Sequence, residues 1–125
     1  MRILFVCQHY WPEQFQTTDI CEELVQRGHE VTALVGIPNY PTGIVPDEYL
    51  QGRNREQERR GVRIVRAEET PRKPGVIGLA RNYWSYMRGA DRRLRDLKGG
   101  YDVILAYQIS PVLMAEPAMR AKRAF

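Results

Sequence analysis

Two cysteines, two histidines and no long apolar run set the first limits on this 125-residue chain. Cys7 falls in a strand-like apolar run and Cys21 on the apolar face of a predicted helix. Both read as buried thiols of a reducing compartment rather than as a disulfide or metal pair. His9 and His29 sit on different elements, with no cysteine or carboxylate pattern beside them, so no metal set is expected. Glycine is missing where nucleotide loops need it. After the first apolar run the chain reads Gln-His-Tyr-Trp-Pro-Glu-Gln, which is neither a Gly-x-Gly-x-x-Gly fingerprint nor a phosphate-cradling Walker loop. The apolar runs fall far short of the ~20 residues that span a bilayer. Met1-Arg2 leads directly into strand-like sequence, without the charged, apolar and small-residue regions of a signal peptide, so a cytoplasmic location is expected. No helix-turn-helix, zinc or RNA-binding pattern appears, which speaks against nucleic acid.

What is present is enough to fold. Apolar residues make up 43% of the chain, sufficient for a real core. The net charge of +4 is unevenly spread. Residues 1–58 carry four basic and nine acidic side chains; residues 59–125 carry fifteen and six. Such asymmetry points to a basic face and an anionic partner.

Hydrophobic patterning predicts strands over 2–7, 30–36, 62–67 and 102–107, and helices over 18–27 and 76–97. A last helix is expected after Ser110, with Pro111 at its first position. Thr17, Thr18 or Asp19 would cap the first helix, Glu22 and Glu23 suit its first turns, and Gly28 would terminate it. Ile20, Cys21, Leu24 and Val25 form its apolar stripe. The second helix shows a core stripe of Val76, Ala80, Tyr83, Met87, Ala90, Leu94 and Leu97. Residues 37–60 read as irregular, with Arg53–Arg60 solvated. The strand over 62–67 alternates only partly, as near a sheet edge, whereas 102–107 has a buried pattern. This order implies an α/β fold: a Rossmann-like, mainly parallel sheet with helices on both faces.

Ligands of such sheets bind outside the carboxyl ends of the strands. His9, Tyr10, Trp11 and Glu13 follow the first strand. An imidazole, two flat aromatic faces and a carboxylate acceptor together suit a sugar or phosphate, although Trp11 and Pro12 would equally pack the loop. Asn39, Tyr40, Thr42 and Gly43 follow the second strand, as binding loop or turn chemistry. Tyr107, Gln108 and Ser110 follow the last strand, on the same edge. His29, beside the helix-ending glycine, reads as structural.

Leu24-Val25-Gln26-Arg27-Gly28-His29-Glu30-Val31-Thr32-Ala33-Leu34 resembles the first helix-to-strand junction of glycosyltransferases with the GT-B fold. Tyr10-Trp11-Pro12-Glu13, Pro38-Asn39-Tyr40-Pro41-Thr42-Gly43, Pro71-Arg72-Lys73 and Tyr107-Gln108-Ile109-Ser110-Pro111 narrow the likeness. Together they are similar to a bacterial subgroup of family-4 retaining glycosyltransferases, including fucosamine-transferase-like enzymes of O-antigen and capsule assembly. The resemblance implies the beginning of the N-terminal, acceptor-side domain of a two-domain enzyme. The nucleotide-sugar-binding domain would lie elsewhere, in missing sequence or a partner chain, so this chain alone is expected to be inactive. It further implies that His9 to Glu13 face the donor, while Asn39 to Gly43 and Tyr107 to Ser110 face a glycan or lipid-linked acceptor. No cofactor or metal is implied beyond the nucleotide-sugar co-substrate, and no catalytic base is assigned.

Two further expectations stand beside this one. A non-catalytic α/β module binding an anionic ligand or a partner protein would show the same patterning. On the helix over 76–97, Ile77 and Trp84 fall to one side of the core stripe, on a flank shared with Arg81, Arg88, Arg92 and Arg95. That is the composition of a helix resting on an anionic membrane surface. The alternative there is Trp84 packed on a loop among solvated arginines.

Overall fold

The computed structural model describes residues 1–107 and 115–125. The strands are β1 (Arg2–Val6), β2 (Glu30–Val35), β3 (Glu56–Arg59), β4 (Val62–Arg66) and β5 (Val103–Ala106). The helices are α1 (Gln16–Gln26), α2 (Val76–Arg93) and α3 (Glu116–Ala124). They build one five-stranded sheet in the order β3-β4-β2-β1-β5. β4, β2, β1 and β5 run parallel, and only β3 is antiparallel, as a hairpin with β4. The fold is the α/β, Rossmann-like arrangement expected from the sequence.

Alternation along β1 divides the core. Leu4 and Val6 face one side, where they meet Leu34, Val65, Tyr86, Ala90 and Leu94 beneath α2 and α3. Ile3, Phe5 and Cys7 face the other, against Val31, Ala33, Val35, Ile64 and Cys21 of α1. Most of these side chains are fully removed from water, each branched aliphatic one stabilising the fold by about 1.5–3 kcal/mol. Both cysteines are free and buried. Burial pushes the Cys21 thiol up to about 12 and the Cys7 thiol well above its ordinary value, so neither is a nucleophile near neutral pH.

Several expectations are corrected. The segment expected to be solvated contains β3, whose Glu-Gln-Glu-Arg sequence pairs with β4 from Glu56↔Val65 to Arg59↔Val62. β4 is second from the edge, near the sheet edge as its partial alternation suggests, and its outward Arg63 pairs with Glu56 at 2.7 Å. Among the described residues β5 is the outer strand at the other end of the sheet, and its buried-looking pattern is corrected only in that Val103 and Ala106 are exposed. α1 begins at Gln16 without a side-chain cap. Thr17 and Thr18 are buried and bond to the preceding loop, while Glu22 is buried and pairs with Arg59 and Arg60. Gly28, at φ 90°, ends α1 as expected.

On α2, Met87, Ala90, Leu94 and Leu97 are buried as read, but Val76 and Ala80 are exposed. Asn82, Tyr86 and Gly89 complete the inner face instead. The helix gives way to a 3₁₀ turn over Leu94–Asp96. The helix start expected at Ser110-Pro111 lies outside the described residues. α3 carries Pro117 in its first turn. No described helix is long and apolar enough to cross a membrane.

Candidate functional site at the carboxyl edge of the sheet

Because β2 lies on one side of β1 and β5 on the other, the chain reverses its direction of winding between β1 and β5. In doubly wound sheets the crevice at that point receives the ligand. The loop after β1 opens there, and its side chains are held from three directions.

Cys7 N donates to Leu34 O and Gly36 N to Gln8 O, which ties the first loop residues to the end of β2. Thr17 Oγ1 donates to His9 O at 2.7 Å, and Trp11 N donates to Thr18 Oγ1 at 2.9 Å. The loop is thereby fastened to the first turn of α1. His9 Nδ1 lies 3.2 Å from Glu13 Oε1. Glu13 Oε2 accepts the backbone N–H groups of Tyr40 at 2.6 Å and Asn39 at 3.2 Å. With Oε2 taken by those two amides, Oε1 is the carboxylate oxygen that faces the imidazole. The His9 ring stacks on Phe15 at 4.6 Å between centroids and lies 5.2 Å from Tyr40. Arg72 lies over the outer face of the site, 5.2 Å from the Tyr40 ring.

The loop after β2 is braced from beneath. Asn39 is buried; its Nδ2 donates to Ile37 O and its Oδ1 accepts from Arg72 N, both at 2.8 Å. Its side chain is thus a strut, while its backbone N–H serves Glu13. Thr42 Oγ1 accepts from Ile44 N across the turn. Gly43 has φ 79°, and a Cβ there would overlap the Arg72 carbonyl oxygen. Only glycine meets both conditions.

A second, half-buried group completes the edge. Glu69, just beyond β4, accepts from Gln8 Nε2 at 2.8 Å and from Asn82 Nδ2 at 3.0 Å. Gln8 Nε2 also lies 2.8 Å from Asn82 Oδ1, and Asn82 Nδ2 donates to Thr70 O. Burial pushes the Glu69 carboxyl up to about 8, against the lowering effect of the Gln8 hydrogen bond, and the nearby Glu13 charge adds to the rise. Three loops therefore converge on two carboxyl groups of different character. Glu13 is bound by backbone N–H groups, whereas Glu69 is neutral over most of the neutral range. Beneath them Arg66 donates to Gly36 O, Trp11 O and Gln57 Oε1 at 2.9, 2.5 and 2.9 Å, with its guanidinium 4.7 Å from the Tyr49 ring.

The predicted site residues thus separate. His9, Glu13 and Tyr40 come together, and Asn39, Thr42 and Gly43 shape the loop beside them. Trp11 is half-buried in the same loop, its ring covered by Arg59 at 5.1 Å. Tyr10 is a correction: it is wholly buried against the α1 side of the sheet and presents no face to a ligand. Tyr107 lies across the crevice, its hydroxyl donating to Gln16 Oε1 at 3.4 Å. Gln108 and Ser110 lie outside the described residues. His29 is structural, accepting from the chain's N-terminal ammonium at 3.2 Å. The sequence reading missed Phe15, Glu69 and Asn82. Glu69 had one available signal, an acidic pair directly after an apolar strand and therefore at the ligand-facing edge.

The family described as "Glycosyl transferase 4-like domain" matches residues 14–125. The chain belongs to this family. Glycosyl transfer is the activity of the domain type, and the Rossmann-like sheet is its frame. No curated protein and no solved structure gives a match. Among the described residues of this glycosyl transferase 4-like domain, no three histidine, cysteine or acidic side chains gather as a metal set. The groups it offers at the crevice are an imidazole, a carboxylate, two aromatic faces and an arginine.

Proposed function

We propose that this domain is the acceptor-side half of a retaining GT-B glycosyltransferase that moves a sugar from a nucleotide-sugar donor to a glycan or lipid-linked acceptor. A second Rossmann-like domain, in the same chain or a partner, would supply the nucleotide-sugar site. The subgroup resemblance favours a fucosamine-transferase-like enzyme of O-antigen or capsule assembly, working at the cytoplasmic face of the membrane.

The observation that carries the reading is the His9–Glu13 pair, fixed on the Asn39 and Tyr40 amides at the winding reversal. Glycosyl transfer develops positive charge on the sugar ring and negative charge on the leaving phosphate. Fixed groups that match those charges lower the barrier without reorganising. An imidazolium at His9 would face the departing phosphate, and Glu13 would keep the ring oriented while sustaining its charge. Phe15 and Tyr40 would limit water access and offer apolar faces to a sugar.

The test is a transfer assay on the protein with its nucleotide-sugar-binding domain, using UDP- and GDP-sugars and a polyprenyl-diphosphate-linked acceptor. His9→Asn should lower kcat at least a hundredfold, the scale of removing one electrostatic stabiliser, with the product anomer unchanged from the donor. An inverted product, or a His9→Asn enzyme with wild-type kcat, would overturn the reading.

A further inference from the structure

The outward stripe of α2 is not the solvated face of an ordinary surface helix. At ~100° per residue, Ile77, Arg81, Trp84 and Arg88 fall within about one sixth of the helix circumference, opposite the buried Asn82, Tyr86 and Gly89, and Arg95 follows in the 3₁₀ turn. Ile77 is 77% exposed and Trp84 53%. Val76 at the helix start is 86% exposed. Ile44, 72% exposed, follows the Gly43 turn that packs against Arg72 and so adds to the same carboxyl-edge rim. Ile77 and Trp84 thus stand in water on one helix face, and Val76 and Ile44 are exposed as well.

Arg81, Arg88, Arg92 and Arg95 are exposed, and none forms an ion pair among the described residues. Residues 108–114 contain no carboxylate that could pair with them. By contrast, Arg2, Arg27, Arg55, Arg59, Arg60 and Arg63 all meet acidic partners. Trp84, Arg88, Arg92 and Arg95 border one groove of about 340 Å³, with Arg120 of α3 on its far wall. Other exposed cations, such as Arg53, Lys98 and Arg123, also lack an ion pair among the described residues. What sets the α2 group apart is that its unneutralised arginines share a helix face with the protruding Ile77 and Trp84, which matches a surface that is anionic outside and apolar just beneath.

We infer that the α2 stripe docks this domain on an anionic phospholipid bilayer, with Trp84 and Ile77 entering the headgroup layer and Arg88, Arg92 and Arg95 meeting lipid phosphates. Nucleic acid would match the charge but gives aliphatic tips such as Val76 and Ile77 no apolar layer to enter. α2 starts at the edge of the sheet that holds His9 and Glu13. Docking by its first turns sets the crevice beside the lipid surface and makes a membrane-embedded, lipid-linked acceptor the fitting substrate. Only that last step rests on the proposed transfer function; the adhesion stands on the surface itself.

Co-sedimentation of the full chain with phosphatidylcholine vesicles, with and without one-third phosphatidylglycerol, tests it at low and high salt. Binding should require the anionic lipid and weaken with salt. Arg88→Glu should reduce affinity about thirtyfold, the effect of reversing one charge near such a surface. Arg27→Glu, an equal charge change on the opposite helix layer, should cost less than a third of that factor. Brominated lipids should quench tryptophan emission in the wild type and much less in Trp84→Phe. Equal binding to pure phosphatidylcholine, equal losses for the two arginine variants, quenching unchanged by Trp84→Phe, or tighter binding to single-stranded RNA than to anionic vesicles would each overturn the inference. Vesicle binding without sugar transfer would leave the docking standing and remove the transfer reading. Transfer to a soluble acceptor without vesicle binding would do the reverse.

Discussion

Replacing Glu69 by glutamine should remove a pH dependence from the stability of this fold. In the folded chain the carboxyl titrates at about 8, against 4.5 for an unperturbed glutamate. Burial favours the neutral form, so the fold holds this proton where the unfolded chain has released it. Below 4.5 both states are protonated and the full stabilisation is present. As pH rises from there, stability falls by up to about 1.4 kcal/mol per pH unit until the folded-state value near 8 is passed. The limit over that window is about 5 kcal/mol. Glu69 keeps partial contact with solvent, so about 2–4 kcal/mol is expected, a large share of a typical 5–15 kcal/mol domain stability. Glutamine preserves the shape and an acceptor for Gln8 and Asn82 but never ionises. Urea unfolding of wild type and Glu69→Gln at pH 5, 6, 7 and 8 measures the difference. The gap between the two should be smallest at pH 5, with the variant pulling ahead as pH rises. Asp91, pushed up to about 6 chiefly by burial and by the neighbouring Glu116, tilts both proteins alike and cancels in the comparison. Parallel pH profiles for the two proteins would refute the argument that Glu69 is buried neutral.

Two other substitutions probe the frame of the site. Gly43→Ala forces a side chain into a φ of 79° and onto the Arg72 carbonyl. It should cost about 1–3 kcal/mol and speed hydrogen exchange at the Asn39 and Tyr40 amides, with unchanged exchange arguing that the turn is not held as described. Arg66→Met keeps much of the side-chain volume but strips donors from Gly36 O and Trp11 O. A loss of about 2–4 kcal/mol is expected from the orphaned carbonyls, seen as a lower urea midpoint, whereas a stability-neutral variant would show that water replaces the guanidinium without cost.

The strand-helix order of the parallel sheet was legible because its apolar runs are short, bounded and mostly buried on both faces. β3 was not. An edge strand has one neighbour and much exposed surface, so Glu56, Glu58 and Arg59 satisfy its pairing while carrying no hydrophobic signal. Periodicity set α2 in nearly the right phase, but it credited Val76 with core contact. The first turn projects past the sheet, and helical spacing cannot report where the core ends. At the site, loop position brought forward His9 and Glu13, which the fold places side by side. It failed for Tyr10, whose side chain turns inward between Cys7 and α1. Buried polar groups such as Asn82 and Arg66 were unreadable because their partners come from sequence-distant loops, often as backbone atoms.

That last point bears on how such a crevice changes over evolutionary time. Arg66 grips two of the three loops through the carbonyl oxygens of Trp11 and Gly36, groups that every amino acid possesses. The side chain at Trp11 can therefore be exchanged without disturbing the clamp, whereas a Cβ at Gly36 would run into the Glu69 carboxyl group. The loop after β1 can acquire new ligand-contacting residues by single substitutions while its path stays fixed. An insertion is different, since it shifts the carbonyl itself. Variation in what this crevice recognises should accordingly accumulate as replacements around a constant loop length, with the arginine as the fixed point about which specificity drifts.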